Sequence, residues 1–445
     1  MNSKSLLTTI LFAIVTLFLV NSSLTAQPKG IYVLDNNQGV YRDANIRNYS
    51  YVDGFVWRTS WLDIETSAGV YNYAGIDHII HKLDSINKKL TILFGAYSVE
   101  PAYIPQQPGV TTYSFTDPTT NVTTTRAVPW DAYLLQRYRL LLSALANHQV
   151  FSISTGTMVA LKNHPVLVNI ATNIPGLGAI RNVNGLNTSV QTTFPGYSRS
   201  KFVDSILVSM KLQTDNFPAK NVFIPIYKNI NDNTTSPSLS GFIRTQLLLT
   251  FNNSQNPKIS FWQENLAAFK DTTTQIITGL PTTTFATPLY QLNDSAYTMF
   301  QMLQGWTTPF SDPSKTANTT PFDAMCYAHT TYGASYYEVY VSDIDNNLYQ
   351  SSFSSWNPAT SCSVTVTQPG NNEITVYPNP ASNSITIGGL KQQSNFNVIV
   401  FNLFGQKILS NQNKPSFSTA MLPAGIYIIN VVQDSKAYSL KFIKQ

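Results

Sequence analysis

Only four glutamates precede residue 357, Glu65, Glu100, Glu264 and Glu338, so chemistry that needs paired carboxyl groups has few places to draw on. Glu264 ends an apolar run, Phe261-Trp262-Gln263-Glu264-Asn265, and Glu338 lies inside another, Tyr336-Tyr337-Glu338-Val339-Tyr340. A carboxyl within such a run cannot be fully buried without a partner. Glu338 is therefore either an acid with a raised pKa or the partner of a cation. Glu264 is a site residue or a solvated or helix-capping carboxylate at a strand exit. The cation to consider is Arg58, in Phe55-Val56-Trp57-Arg58-Thr59. Its guanidinium can bridge carboxylates or bond a ligand hydroxyl, or close a buried structural salt bridge. Trp57, Trp61 and Trp262 offer flat apolar surface for a ligand or for helix packing, and Gln263 and Asn173 offer amides. Glu264 and Glu338 are thus the candidate catalytic residues, and Arg58, Trp57, Trp61, Trp262, Gln263 and Asn173 the candidates for substrate binding.

Other chemistries find little support. The five histidines, His78, His81, His148, His164 and His329, are scattered. His78 and His81 are three apart on a helical stretch but have no evident third metal ligand. No Gly-rich phosphate loop, GxSxG elbow or HExxH helix occurs. Neither a cofactor nor a metal is expected.

The elements that must position these residues alternate. Apolar, strand-like runs fall at 30–34, 52–57, 90–97, 166–172, 222–227, 259–263 and 335–341, with amphipathic stretches between them. In residues 73–87, Ile76, Ile79, Ile80 and Leu83 recur at helical spacing. Strands that alternate with helices predict a parallel sheet with crossover helices. A (β/α)8 barrel takes about 250 residues, which residues 27–356 accommodate. Seven strands are evident, and an eighth is expected between Gln275 and Trp306. Residues 357–372, rich in Ser, Thr, Pro and Gly, read as a linker. From 373 to 445 the pattern changes to short alternating strands bounded by Gly, Pro and Asn, the mark of a small all-β module.

Composition suits export. Charged residues are 11% of the chain, against about 25% in ordinary soluble proteins. The net charge of +5 is spread without a basic block, which disfavours nucleic acid. Neutral hydroxylated ligands such as sugars fit better. Residues 1–26 have the anatomy of a cleaved signal peptide: Lys4, an apolar run from Leu6 to Val20, then small polar residues. No transmembrane anchor is expected after cleavage. Cys326 and Cys362 are the only cysteines; in an oxidising compartment they either pair or remain two buried thiols.

Two resemblances add to this. Val376-Tyr377-Pro378-Asn379-Pro380, the segment Val400-Phe401-Asn402-Leu403-Phe404-Gly405-Gln406-Lys407-Ile408, Leu422-Pro423-Ala424-Gly425-Ile426-Tyr427 and a terminal Lys441-Phe442-Ile443-Lys444-Gln445 resemble, in order and spacing, the type A C-terminal sorting domain of the type IX secretion system of Bacteroidetes. The resemblance implies that residues 373–445 engage that machinery and that the protein crosses the periplasm to the medium or the outer-membrane surface.

The segment Gly54 to Glu65, with Arg58, Trp61 and Glu65, followed by Gly69-Val70-Tyr71-Asn72-Tyr73 and Ile76-Asp77, is similar to the early barrel segment of retaining glycoside hydrolases of the β-galactosidase type. Glu100-Pro101-Ala102-Tyr103-Ile104-Pro105 and Val128-Pro129-Trp130-Asp131 fit as well. This implies a (β/α)8 barrel acting on polysaccharide or oligosaccharide, with Glu65 setting a loop. In the resembled enzymes the acid/base follows an Asn at the end of the fourth strand. Here residues 166–181 contain no carboxylate. The alternative is a glycan-binding or surface protein that kept the barrel and lost the acid/base.

Overall fold

The structure is a computed structural model and describes residues 27–34, 46–94, 100–116, 121–174, 190–227, 230–234, 237–252, 259–270, 277–279, 289, 292, 295–303, 305–306, 319–362, 374–390, 395–402, 407–433 and 436–445. The expected signal peptide, residues 1–26, and linker residues 363–372 lie outside them. The chain forms two compact units, the larger ending at Cys362 and the smaller beginning at Ser363.

The larger unit is a closed eight-stranded barrel. Its strands are β1 (Gly30–Leu34), β2 (Gly54–Thr59), β3 (Lys89–Phe94), β4 (Leu167–Ala171), β5 (Asn221–Pro225), β6 (Ile259–Leu266), β7 (Tyr297–Met302) and β8 (Tyr336–Tyr340). Each pairs in parallel with its neighbour in sequence, and β8 closes on β1 through Gly30 to Leu34 against Tyr336 to Tyr340. The eighth expected strand is β7, inside the predicted interval.

Helices cover the outside: α1 (Ala74–Ser85), α2 (Ala132–Asn147), α3 (Arg199–Asn216), α4 (Leu239–Phe251), α5 (Pro321–Tyr332) and α6 (Asn347–Ser354). Helix α1 buries Ile76, Ile79, Ile80 and Leu83, the predicted stripe. Side-chain oxygens of Asp131, Ser198 and Ser238 accept from the first free backbone N–H groups of α2, α3 and α4. Helix α5 starts at a Thr320–Asp323 capping box with Pro321 at its first position, and ends at Gly333 with φ 66°, a left-handed conformation that glycine adopts without Cβ strain.

Inside the barrel, side chains stack in layers. At the amino ends of the strands Thr91, Asn169, Asn221 and Ser260 form a hydrogen-bonded chain: Asn169 donates to Thr91 (2.9 Å), Asn221 to Asn169 (3.0 Å) and Ser260 to Asn221 (2.6 Å). Above it comes a packed layer of Tyr32, Val56, Leu93, Ala171, Phe223, Trp262, Met299 and Tyr336. A far larger apolar cluster lies between the barrel and its helices.

Cys326 on α5 is disulfide-bonded to Cys362. A helical turn, Pro358–Ser361, leads to that second cysteine, so the first residues of the expected linker belong to the larger unit.

The smaller unit is all-β. Strands β9 (Thr375–Tyr377), β10 (Ser384–Gly388), β11 (Phe396–Asn402), β12 (Lys407–Gln412), β13 (Ser416–Ser418), β14 (Gly425–Gln433) and β15 (Lys436–Lys444) form two antiparallel sheets, in the orders β9-β10-β13 and β12-β11-β14-β15. Along β14, Tyr427, Ile429, Val431 and Gln433 are buried at every second position. Tyr427, Ile429 and Val431 join Ile385, Ile387, Val398, Val400 and Phe442 in a core separate from that of the barrel.

Candidate functional site

Four inward side chains meet toward the carboxyl ends of the barrel strands: Arg58 of β2, Glu264 of β6, Gln301 of β7 and Glu338 of β8. They sit above the packed layer, where barrel enzymes hold their chemistry. Arg58 is 3% exposed. Its Nη2 donates to Gln301 Oε1 and lies 4.0 Å from Glu264 Oε2. Its Nε and Nη1 make no hydrogen bond among the described residues. Gln301 in turn donates to the Tyr340 hydroxyl (3.2 Å).

Glu338 is fully buried. Its Oε1 accepts from Trp262 Nε1 (2.9 Å) and from the Tyr336 hydroxyl (3.1 Å). Its Oε2 has no hydrogen-bond partner among the described residues. Burial pushes the carboxyl up from its ordinary 4.5 to about 7, although Arg58 and the two hydrogen bonds pull the other way. A carboxyl poised there exchanges its proton near neutral pH, as a general acid must. Its unpartnered oxygen and the two unpartnered guanidinium nitrogens are the polar capacity that the surrounding protein leaves unused.

The structure brings Arg58, Trp262, Glu264 and Glu338 together and places the other candidates elsewhere. Strand β2 alternates, so Val56 and Arg58 face inward while Trp57 faces out, where its ring packs on Gly75 of α1. Trp61, 2% exposed, donates from Nε1 to Glu65 Oε2 (2.7 Å), and its ring lies 5.8 Å from that of Tyr138 on α2. Both tryptophans serve helix packing. Gln263 points to the opposite face of β6 from Trp262 and Glu264 and donates to the Ile226 carbonyl (3.3 Å). Asn173 is turned onto α3, with Nδ2 2.9 Å from Met210 Sδ.

Glu65 is a structural hub. Completely buried, it accepts from Trp61, from Gly69 N (2.8 Å), from the Tyr103 hydroxyl (2.9 Å) and from Arg137. Gln301 and Tyr340 belong to the site but were not singled out from the sequence. The one available signal was a lone amide, Gln301, in the apolar run Met299-Phe300-Gln301-Met302, within the strand whose bounds were least defined. Among the described residues no three His, Cys, Asp or Glu side chains are grouped to hold a metal ion.

Residues 375–445 match the family described as "Secretion system C-terminal sorting domain". Among curated proteins no similar sequence is found. Among solved structures, the chain is similar to a β-galactosidase from Bacillus circulans sp. alkalophilus, at 14% identity and a TM-score of 0.41, over 70% of this chain and 50% of that one. It is also similar to a β-galactosidase from Rahnella sp. R3, at 9% identity and a TM-score of 0.40 over 70% and 50%, and to an endo-β-1,4-mannanase from Thermotoga petrophila, at 10% identity and a TM-score of 0.36 over 94% and 97%. The chain spans about half the length of the two β-galactosidases. At such identities and scores these likenesses carry no conclusion about activity. No helix among the described residues is long and apolar enough to cross a membrane. Residues 375–445 are a type IX secretion C-terminal sorting domain, and the protein that carries it is secreted, either released or attached at the cell surface.

Proposed function

We propose that the barrel of this secreted protein acts on carbohydrate as a glycoside hydrolase, with Glu264 and Glu338 as its carboxyl pair. The observation that carries this reading is the setting of Glu338: a buried carboxyl held near pH 7, with one oxygen unpartnered, beside a buried guanidinium with two unpartnered nitrogens. Cleavage of an O-glycosyl bond needs one carboxyl to protonate the leaving oxygen and a second to attack the anomeric carbon or to activate water. Glu338, protonated at neutral pH in part of the molecules, is the acid. Glu264, facing the Arg58 cation at 4.0 Å, is the nucleophile or base. Arg58 aligns Glu264 and offers its remaining N–H groups to sugar hydroxyls. Trp262 holds the acid through its indole N–H. The sequence resemblance around Arg58, Trp61 and Glu65 to hydrolases of the β-galactosidase type supports the same substrate class.

One observation favours a second reading, a barrel that binds glycans and does not cut them. Residues 166–181 supply no carboxylate, where the resembled hydrolases carry their acid/base. Turnover and binding of a panel of polysaccharides and aryl glycosides by the full chain decide between the two. Glu264→Gln and Glu338→Gln are each expected to lower turnover about a hundredfold to ten-thousandfold while leaving binding in place. Unchanged turnover in either variant removes that residue from the site.

A further inference from the structure

A cavity of about 510 Å³ opens at the amino ends of the barrel strands, the opposite end from Arg58, Glu264 and Glu338. Its floor is the polar chain described above, through Asn169 and Asn221, 2% and 7% exposed. Its walls carry Lys29, Lys88, Lys89 and Lys220 against a single carboxylate, Asp53. Five of its seventeen lining residues are charged, in a chain where charged residues are 11% of the total. Four of those five have the same sign.

Three of the four lysines are held in place by backbone carbonyls, and the one carboxylate, Asp53, acts on Lys88. Lys220, 8% exposed, donates to the His164 carbonyl (2.8 Å). Lys88 donates to the carbonyls of Tyr49 (2.9 Å) and Val52 (2.6 Å), and Lys89 to that of Pro165 (3.3 Å). Each ammonium has three N–H donors, so all three keep at least one to spare. Among the described residues none of the four lysines forms an ion pair, and Asp53 accepts from the backbone N–H of Ile31 (2.8 Å). Burial, reinforced by the neighbouring Lys89, pushes Lys220 down to about 8. Like charges gathered at a sheltered polar cavity repel one another, and an anion between them removes that cost.

We infer that this cavity is a binding site for a small oxyanion, a phosphate, a sulfate or the carboxylate of a sugar acid, held by Lys89 and Lys220 over the Asn169–Asn221 floor. It is separate from the carboxyl-end site and independent of the proposed hydrolysis. Calorimetric titration of the full chain with sodium sulfate, sodium phosphate and sodium glucuronate, at constant chloride, tests it. One saturable site is expected, weakened about tenfold or more in Lys89→Gln and in Lys220→Gln, the loss of one charge-assisted hydrogen bond. Lys211→Gln removes an exposed lysine paired with Asp215 elsewhere and is expected to bind as the parent does. Should Lys220→Gln fail to fold, Lys89→Gln alone gives the answer. Tighter binding of glucuronate than of the inorganic ions assigns a sugar acid, and the reverse order assigns a free oxyanion. Absence of saturable binding by all three probes, unchanged binding in Lys89→Gln, or equal weakening in Lys211→Gln overturns the inference.

Discussion

Glu338 links stability to pH in a way that identifies it. The folded protein holds the carboxyl near 7 and the unfolded chain near its ordinary 4.5. Between those values the native state binds the extra proton, so stability falls as pH rises through this window. The full difference is about 3 kcal/mol, lost by pH 8. Glu338→Gln carries no titrating group there and is expected to flatten that slope, so that denaturation midpoints of parent and variant converge at pH 5 and separate in the variant's favour at pH 8. A parent with no such slope would mean that the carboxyl is ionised throughout. The residues that meet at this site were only partly legible. Glu264, Glu338, Arg58 and Trp262 stood out because charged or indole groups in apolar runs demand partners. The directions of Trp57, Gln263 and Trp61 were not legible. Strand β2 is buried at all six positions and β6 at seven of eight, so no alternation of polarity marks which residues face the lumen.

At the level of elements, the corner after β2 depends on Glu65. Removing its carboxylate leaves Arg137, Trp61 and the Gly69 N–H without their acceptor. Glu65→Ala is expected to cost about 3 to 5 kcal/mol, the range for breaking a buried ion pair, measurable by denaturant unfolding of the full chain. The disulfide between Cys326 and Cys362 closes a sequence separation of 36 residues. In the chain-entropy account its removal costs about 4 kcal/mol, so reduction should lower the melting temperature of the barrel. Seven strands and helix α1 were readable because each is a run of apolar residues at strand or helix spacing. Strand β7 was confined only to an interval, since Tyr297–Met302 lies in a stretch rich in Thr and Gln. The chain of Thr91, Asn169, Asn221 and Ser260 was not legible at all. Its members come from four consecutive strands, and only the parallel pairing of β3 through β6 makes them neighbours.

For the whole molecule, the sorting domain and the candidate site lie in separate units with separate cores. The tail was the most legible part, because its alternating strands are punctuated by Gly, Pro and Asn and its motifs, from Val376-Tyr377-Pro378-Asn379-Pro380 to Lys441-Phe442-Ile443-Lys444-Gln445, resemble a sorting domain in order and spacing. Deleting residues 373–445 is expected to leave the protein in the periplasm, as fractionation would report; truncated protein found outside the cell would refute the role of the tail. The low charge of the chain, 11%, fits a surface wetted by amides and hydroxyls and a ligand that is mostly neutral. The most direct test of the central claim is the pH dependence of glycoside turnover by the full chain. The Glu264–Glu338 pair predicts turnover with a falling limb near pH 7 that disappears, along with most of the activity, in Glu338→Gln. Glycan binding with no turnover at any pH would contradict it and leave a barrel that recognises sugars without cleaving them.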